Sequence, residues 1–208
     1  MNILWYILLW PLVLIDRVYH RALFAIAKRQ HFDTFTLYSV ENDPKFFDQA
    51  IAALQLLRAV DPRRYRRVQR YMPIIAHVRQ GANFYKHAAR AFYVNACPDD
   101  AADFASEVVH EATHAYLAHR GIRYTKKNRE RHERLCTTEQ LAFVTRAIQA
   151  QTHVPVPQQQ ALIAQWRHWF EEHLASKWWE DHHTRHWQFA ALKTMTQELL
   201  SSLKWKKR

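Results

Sequence analysis

The chain has 208 residues and a formal net charge of +11, with 49% hydrophobic and 24% charged residues. This composition excludes an intrinsically disordered protein, and the length suits one domain with appended helices. Only two glycines are present, so the chain should be mostly helical. The positive charge favours an anionic partner, but no nucleic-acid-binding motif accompanies it, and nucleic acid is therefore not the favoured partner.

Residues 1–30 form a hydrophobic, amphipathic N-terminal segment in which residues 3–15 are apolar without interruption. A membrane-spanning helix needs about 20 apolar residues, so this run is short. Basic residues follow it and none precedes it, which favours a cytoplasmic body over a cleaved signal peptide. We expect peripheral binding to the inner, anionic face of a membrane through this segment and the basic C-terminus "KWKKR". Packing of the segment on the protein's own core or on a partner subunit is the alternative.

The rest of the chain shows strand-like and helix-like patterns. β-Branched and aromatic residues predict strands at 33–40, 72–80 and 89–96. Helical spacing of apolar residues, together with capping residues, predicts helices at 42–60, 62–71, 99–120 and 128–151.

These elements predict an α+β fold class. A helix-dominated core over residues 31–151 would contain a small sheet of about three strands. Residues 152–160 carry two prolines and predict an extended linker. The linker opens the third segment, residues 152–208, whose remainder we expect to be an aromatic, basic helical extension.

The segment "VVHEATHAYLAHRG", residues 108–121, places two histidines and a glutamate within five positions. For a chain with 14 histidines, chance alone gives roughly 0.05 matches to the H-E-x-x-H pattern. On a helix His110 and His114 lie on one face about 6 Å apart and can bind one metal ion. Glu111 points about 100° away and can reach a water molecule on that ion without binding the ion itself.

A catalytic zinc ion needs three protein ligands and one open position, so a third ligand must come from elsewhere. The following helix offers Glu133 and Glu139. Glu133 lies near the middle of an apolar arc, where an unpaired carboxylate is costly, whereas Glu139 lies at its edge. Glu133 is therefore the favoured ligand and Glu139 the alternative. Cys136 could also bind the ion, but burial as a small core residue is the favoured interpretation.

This pattern resembles the zincin metallopeptidases over residues 72–150. The resemblance is carried by "HEATH" in a well-capped helix, the strand-like "RAFYVNA" before it and Glu133 after it. The glutamate is similar to the third ligand of the gluzincin branch. The resemblance implies a zinc-dependent hydrolase with a peptide or protein substrate. The zinc ligands that it implies are His110, His114 and Glu133. The general base that it implies is Glu111.

The resemblance also implies that strand 89–96 is the edge strand that holds an extended substrate by strand addition. One position departs from the pattern: gluzincins often carry an acid where this chain has Thr137, and that acid orients a zinc-binding histidine. In this chain another group must then orient that zinc-binding histidine. Candidates for the oxyanion donor are Tyr124, His132 and the cluster at 181–186. His119 and His132 are otherwise expected to face solvent.

Two other functions are compatible with the sequence. A catalytically inactive protein with a zincin fold could act as a membrane-associated binding or regulatory module. A basic helical protein that binds nucleic acid is the weaker alternative. Zinc content separates the nucleic-acid-binding protein from the two zincin hypotheses, and peptide hydrolysis separates those two from each other.

Overall fold

The computed structural model describes residues 14, 18–78, 83–95, 97–152 and 154–176. Over these residues the α+β class is confirmed, because helices predominate and pack on one mixed sheet. The strands are β1 (Lys28–Phe32), β2 (Phe35–Ser39), β3 (Ile74–His77), β4 (Phe84–Lys86) and β5 (Ala91–Val94). The helices are α1 (residues 18–26), α2 (Pro44–Val60), α3 (Pro62–Tyr71), α4 (Ala101–His119), α5 (Arg129–Gln149) and α6 (Val156–Ala175).

The sheet has five strands rather than the expected three, in the order β1-β2-β3-β5-β4. Strands β2, β3 and β5 run parallel, and the antiparallel strands β1 and β4 form the two edges. Sequence patterns missed both edges because β1 is polar and exposed and β4 has only three residues. The prediction that 89–96 is the edge strand is wrong. That region contains β5, which lies fully buried between β3 and β4, and the edge strand beside α4 is β4.

Alternate residues of the central strands supply two apolar layers, as the period of a strand requires. On one face Ile75 and Phe92 join the main core beneath α2, α3, α4 and α5. On the other face Ala76 and Tyr93 belong to a second buried hydrophobic cluster, which also contains Tyr19 and Leu23 of α1. The sheet is thus covered on both faces, and α4 is held between the sheet and α5.

The helix boundaries follow from local capping chemistry. The Asp100 carboxylate accepts hydrogen bonds from the backbone N–H groups of Ala102 and Asp103 and so begins α4. Gly121, with a φ of +77°, lies just beyond the end of α4, where a residue in the left-handed region commonly ends a helix. The predicted linker over 152–160 is wrong in length, because α6 already begins at Val156. Proline in the first helical turn costs no hydrogen bond, so Pro157 does not delay the helix.

The expected membrane contacts fall mostly outside the described residues. Nearly all of residues 3–15 and the whole basic C-terminus lie outside the part of the chain that the structure describes. Among the described residues, no helix combines the length and apolar character needed to cross a membrane. The expectation of membrane binding therefore stays a prediction.

Asp61 is the charged residue that ties three helices together, and its side chain is fully buried. It ends α2 and begins α3, where its carboxylate accepts a hydrogen bond from the Arg64 backbone N–H at 3.1 Å. It also pairs with the guanidinium of Arg64 and with that of Arg146 on α5, the latter at 2.8 Å. Burial raises the pKa of Asp61, but the two arginines outweigh burial and hold the pKa below its usual value.

We predict that Asp61→Ala lowers the free energy of unfolding by roughly 3 kcal/mol, because it removes a helix cap and leaves buried charge uncompensated. Chemical denaturation at pH 7 measures this loss. Because folding depresses the pKa of Asp61, its contribution is present above the unfolded-state value of about 3.9 and is lost as the pH falls through the folded-state value. The control is Glu130→Ala, which removes an exposed pair with Arg134 and should cost about 1 kcal/mol or less. Equal losses in the two variants would contradict the role given to Asp61.

Candidate metal centre

Helices α4 and α5 bring two imidazoles and one carboxylate to a common point. The Nε2 atoms of His110 and His114, one helical turn apart on α4, lie 3.2 Å from each other. The Oε2 atom of Glu133 on α5 lies 3.4 Å from Nε2 of His110 and 3.7 Å from Nε2 of His114. The three favoured ligands of the sequence analysis therefore meet, with their ligand atoms at the corners of a nearly equilateral triangle.

The size of this triangle fits a zinc ion. A tetrahedral ion with bonds of about 2.0–2.2 Å to nitrogen and oxygen holds its ligand atoms about 3.3–3.6 Å apart. The three observed separations, 3.2, 3.4 and 3.7 Å, bracket that range. The Oε2 atom of Glu133 is buried and makes no conventional hydrogen bond within the described part of the chain. A buried carboxylate oxygen of this kind is costly unless a cation satisfies it, so the donor set fits zinc both in spacing and in charge.

A chain of hydrogen bonds through Gln140 of α5 determines which ring nitrogen of His110 carries the lone pair. Ser106 donates its hydroxyl proton to the carbonyl of Asp103 at 2.8 Å, so its oxygen must accept from the Gln140 amide nitrogen, 3.0 Å away. The Gln140 carbonyl oxygen then faces Nδ1 of His110 at 3.1 Å, and Nδ1 must donate to it. In neutral His110 this leaves Nε2 unprotonated and able to bind a metal.

Gln140 is thus placed to orient His110, the role for which Thr137 in place of an acid left no candidate. Such hydrogen bonds behind a metal ligand commonly strengthen metal binding. Sequence reasoning missed Gln140 because its partner His110 lies 30 residues earlier, and only the packing of α4 on α5 aligns them.

A hydrogen bond to the second carboxylate oxygen, Oε1, fixes the orientation of the Glu133 side chain. Tyr124 donates its hydroxyl proton to Oε1 of Glu133 at 2.5 Å, which leaves Oε2 directed at the two imidazoles. Burial raises the pKa of Glu133, but the two imidazoles outweigh burial and hold the pKa below its usual range. The lowering requires N–H groups or positive charge on the two imidazoles facing Oε2, and a bound zinc ion would favour the ionised carboxylate in the same way.

Glu111 lies beside the two histidines and beneath the edge strand. Its carboxylate accepts a hydrogen bond from the backbone of Tyr85 in β4. Burial raises the pKa of Glu111, and this effect exceeds the lowering by His114 and His110. The side chain that the sequence predicts as general base therefore interacts both with the two histidines and with the backbone of the edge strand.

The two alternative third ligands have other partners or poorer chemistry. Glu139 forms ion pairs with Arg64 and Arg67 of α3, at 3.0 and 2.8 Å. The sulfur of Cys136 lies within 4.8 Å of the ligand nitrogens of both histidines, so it borders the site. Burial raises the pKa of the Cys136 thiol well above its usual value, so binding through sulfur would require zinc to displace the thiol proton. Glu133 remains the favoured third ligand because its Oε2 atom lies 3.4 and 3.7 Å from the two ligand nitrogens, the spacing that a zinc ion with nitrogen and oxygen ligands requires.

The three candidates for the oxyanion donor, Tyr124, His132 and the cluster at 181–186, differ in their surroundings. The Tyr124 hydroxyl proton is committed to Glu133, and the cluster at 181–186 lies outside the described residues. The expectation that His132 faces solvent is wrong, because its side chain is buried among rings, with the His114 ring 6.3 Å away and the Tyr124 ring 5.5 Å away. His119, by contrast, is exposed as expected.

His173 on α6 is a residue near the centre that the sequence analysis did not single out. Burial lowers the pKa of His173, and the charge of His110 lowers it further, while Glu133 opposes both. Its ring also stacks on that of Trp169, with centroids 5.1 Å apart. Helix α6 packs on α5, the helix that carries Glu133.

We predict that the wild-type protein binds one zinc ion and that His114→Ala and Glu133→Ala each weaken binding at least about 100-fold, because two ligands cannot complete the site. Elemental analysis after dialysis against a competing chelator measures the zinc retained. The matched control is His119→Ala, an exposed histidine on the same helix, which should retain zinc as the wild type does. Zinc retained in Glu133→Ala would show that the third ligand lies elsewhere.

The chain matches no protein-family model, no curated protein and no solved structure among those with which it was compared. Its resemblance to the zincins therefore depends on the motif residues themselves.

Proposed function

We propose that the protein is a zinc-dependent metallopeptidase in which His110, His114 and Glu133 bind the ion and Glu111 is the general base. The observation that carries this proposal is the spacing of the three ligand atoms, 3.2, 3.4 and 3.7 Å, around a buried carboxylate oxygen without a conventional hydrogen bond. The two histidine side chains are 15% and 16% exposed, so each retains a small contact with solvent.

The residues around the triangle have different roles in the proposed hydrolysis. Bound zinc would lower the pKa of its water towards 7 and polarise the substrate carbonyl. Gln140 holds the His110 ring, and Tyr124 holds Glu133, so the ligand atoms are positioned before a metal binds. Glu111 accepts the proton of the attacking water and delivers it to the leaving amine nitrogen as the peptide bond breaks.

The position of β4 supports an extended peptide as the substrate. β4 is an edge strand that pairs with β5 on one side and, within the described residues, with no strand on the other. An extended chain can add to such an edge through main-chain hydrogen bonds. Because β4 also contacts α4 and its Tyr85 backbone reaches Glu111, a peptide bound there would pass close to the general base.

We predict that Glu111→Gln lowers the rate of peptide hydrolysis by about 10²–10⁴-fold while one zinc ion stays bound, because the amide keeps the shape of the carboxylate but cannot accept a proton. Mass spectrometry of a mixed peptide library measures hydrolysis, and elemental analysis measures zinc. Glu130→Gln, an exposed change on α5, is the control and should cleave at the wild-type rate.

Two outcomes would contradict the proposal. If Glu111→Gln and the wild type cleave at the same rate, Glu111 is not the base. If the wild type binds zinc but cleaves no member of the library, the alternative of a catalytically inactive binding module replaces the peptidase.

A further inference from the structure

A cavity of about 500 Å³ lies between the N-terminal half of α4 and helix α6. It has acidic groups and two indole rings in its wall and no lysine or arginine among its lining residues. These are Pro98, Asp103, Ser106, Glu107, Gln140, Gln165, Trp166 and Trp169. The absence of basic residues from this wall contrasts with the net charge of +11 of the whole chain.

The cavity and the metal centre share one face of α4. Asp103 and Glu107 precede His110 by seven and three residues, and this spacing puts all three side chains on the same side of a helix. Gln140 lines the cavity and also holds Nδ1 of His110 at 3.1 Å. The cavity therefore begins directly behind a zinc ligand and one helical turn from Glu111.

Helix α6 forms another wall of the same cavity, which Trp166 and Trp169 line. Gln140 of α5 connects the two places, because it lines the cavity and hydrogen-bonds to His110. The acidic, aromatic cavity is therefore adjacent to the metal-ligand triangle.

The wall of the cavity has the chemistry that recognises a cation. Carboxylates pair with ammonium and guanidinium groups, and indole faces attract the same groups through the ring quadrupole. Trp169 is 49% exposed, so its ring can be reached by a ligand that enters from solvent. Glu107 accepts a 2.8 Å hydrogen bond from the Asn83 amide, which fixes the position of its carboxylate.

We propose that this cavity binds the positively charged side chain of a lysine or arginine residue in the substrate. The proposal rests on the peptidase function proposed above and adds a substrate class to it. Burial raises the pKa of Glu107 to about 7, and a bound cation would favour its ionised form, in accord with this assignment.

The test separates side-chain binding from hydrolysis. The zinc-loaded Glu111→Gln protein is titrated with Nα-acetyl-arginine amide and with Nα-acetyl-citrulline amide, whose side chain has nearly the same shape but no charge. The indole N–H resonances of Trp166 and Trp169, assigned by single substitution, report binding by NMR. We expect arginine amide to shift both resonances with a Kd about tenfold lower than that of citrulline amide.

Variants identify the groups responsible. Glu107→Gln should reduce the preference for arginine to about twofold or less, because Gln can still accept the bond from Asn83 but carries no charge. Asp103→Asn is a second variant with the same expected direction, and thermal unfolding checks that both are folded. Glu130→Gln, outside the cavity, should keep the full preference.

Equal binding of the two amides, tighter binding of citrulline amide, or no shift of either indole would overturn the proposal. These outcomes differ from failure of the peptidase function, which appears instead as absent zinc or absent hydrolysis in the wild type. Arginine-selective shifts that persist in a protein without hydrolytic activity would still support the cavity as a site for basic side chains.

Discussion

The arrangement of the whole site depends on one buried carboxylate, that of Glu133. Its Oε2 atom is held in the interior opposite two imidazole nitrogens, while its other oxygen accepts the Tyr124 proton. A charge in such a place is stable only when a cation or several hydrogen bonds compensate it. A zinc ion bound there would supply that compensation and link α4 to α5, so we expect metal binding and the packing of these two helices to be coupled.

The rest of the fold keeps those two helices in register. The sheet supports α4 from one side, and α5 is joined to the α2–α3 corner through Arg146 and Asp61 and through Glu139 with its two arginines. In that network the Glu139 carboxylate has two arginine partners on α3 instead of the two histidines of α4. The same register aligns Gln140 with His110, so a displacement of α5 along α4 would separate a zinc ligand from the group that orients it.

Local patterns in the sequence were sufficient for part of this site and insufficient for the rest. His110, Glu111 and His114 follow from helical periodicity alone, and Glu133 follows from the cost of a carboxylate in an apolar arc. Gln140 does not follow, because its role depends on contact between residues 30 positions apart. The edge strand was misassigned although a signal existed: the uninterrupted apolar run of Ala91–Val94 is typical of an interior strand.

The central claim is that two imidazoles and one carboxylate, with no thiolate, bind a zinc ion. Zinc K-edge X-ray absorption of the zinc-loaded protein tests it most directly. The account predicts a first shell of nitrogen and oxygen at about 2.0–2.1 Å, with outer-shell scattering from two imidazoles. A sulfur neighbour at about 2.3 Å would instead make Cys136 a ligand and contradict the assignment of Glu133.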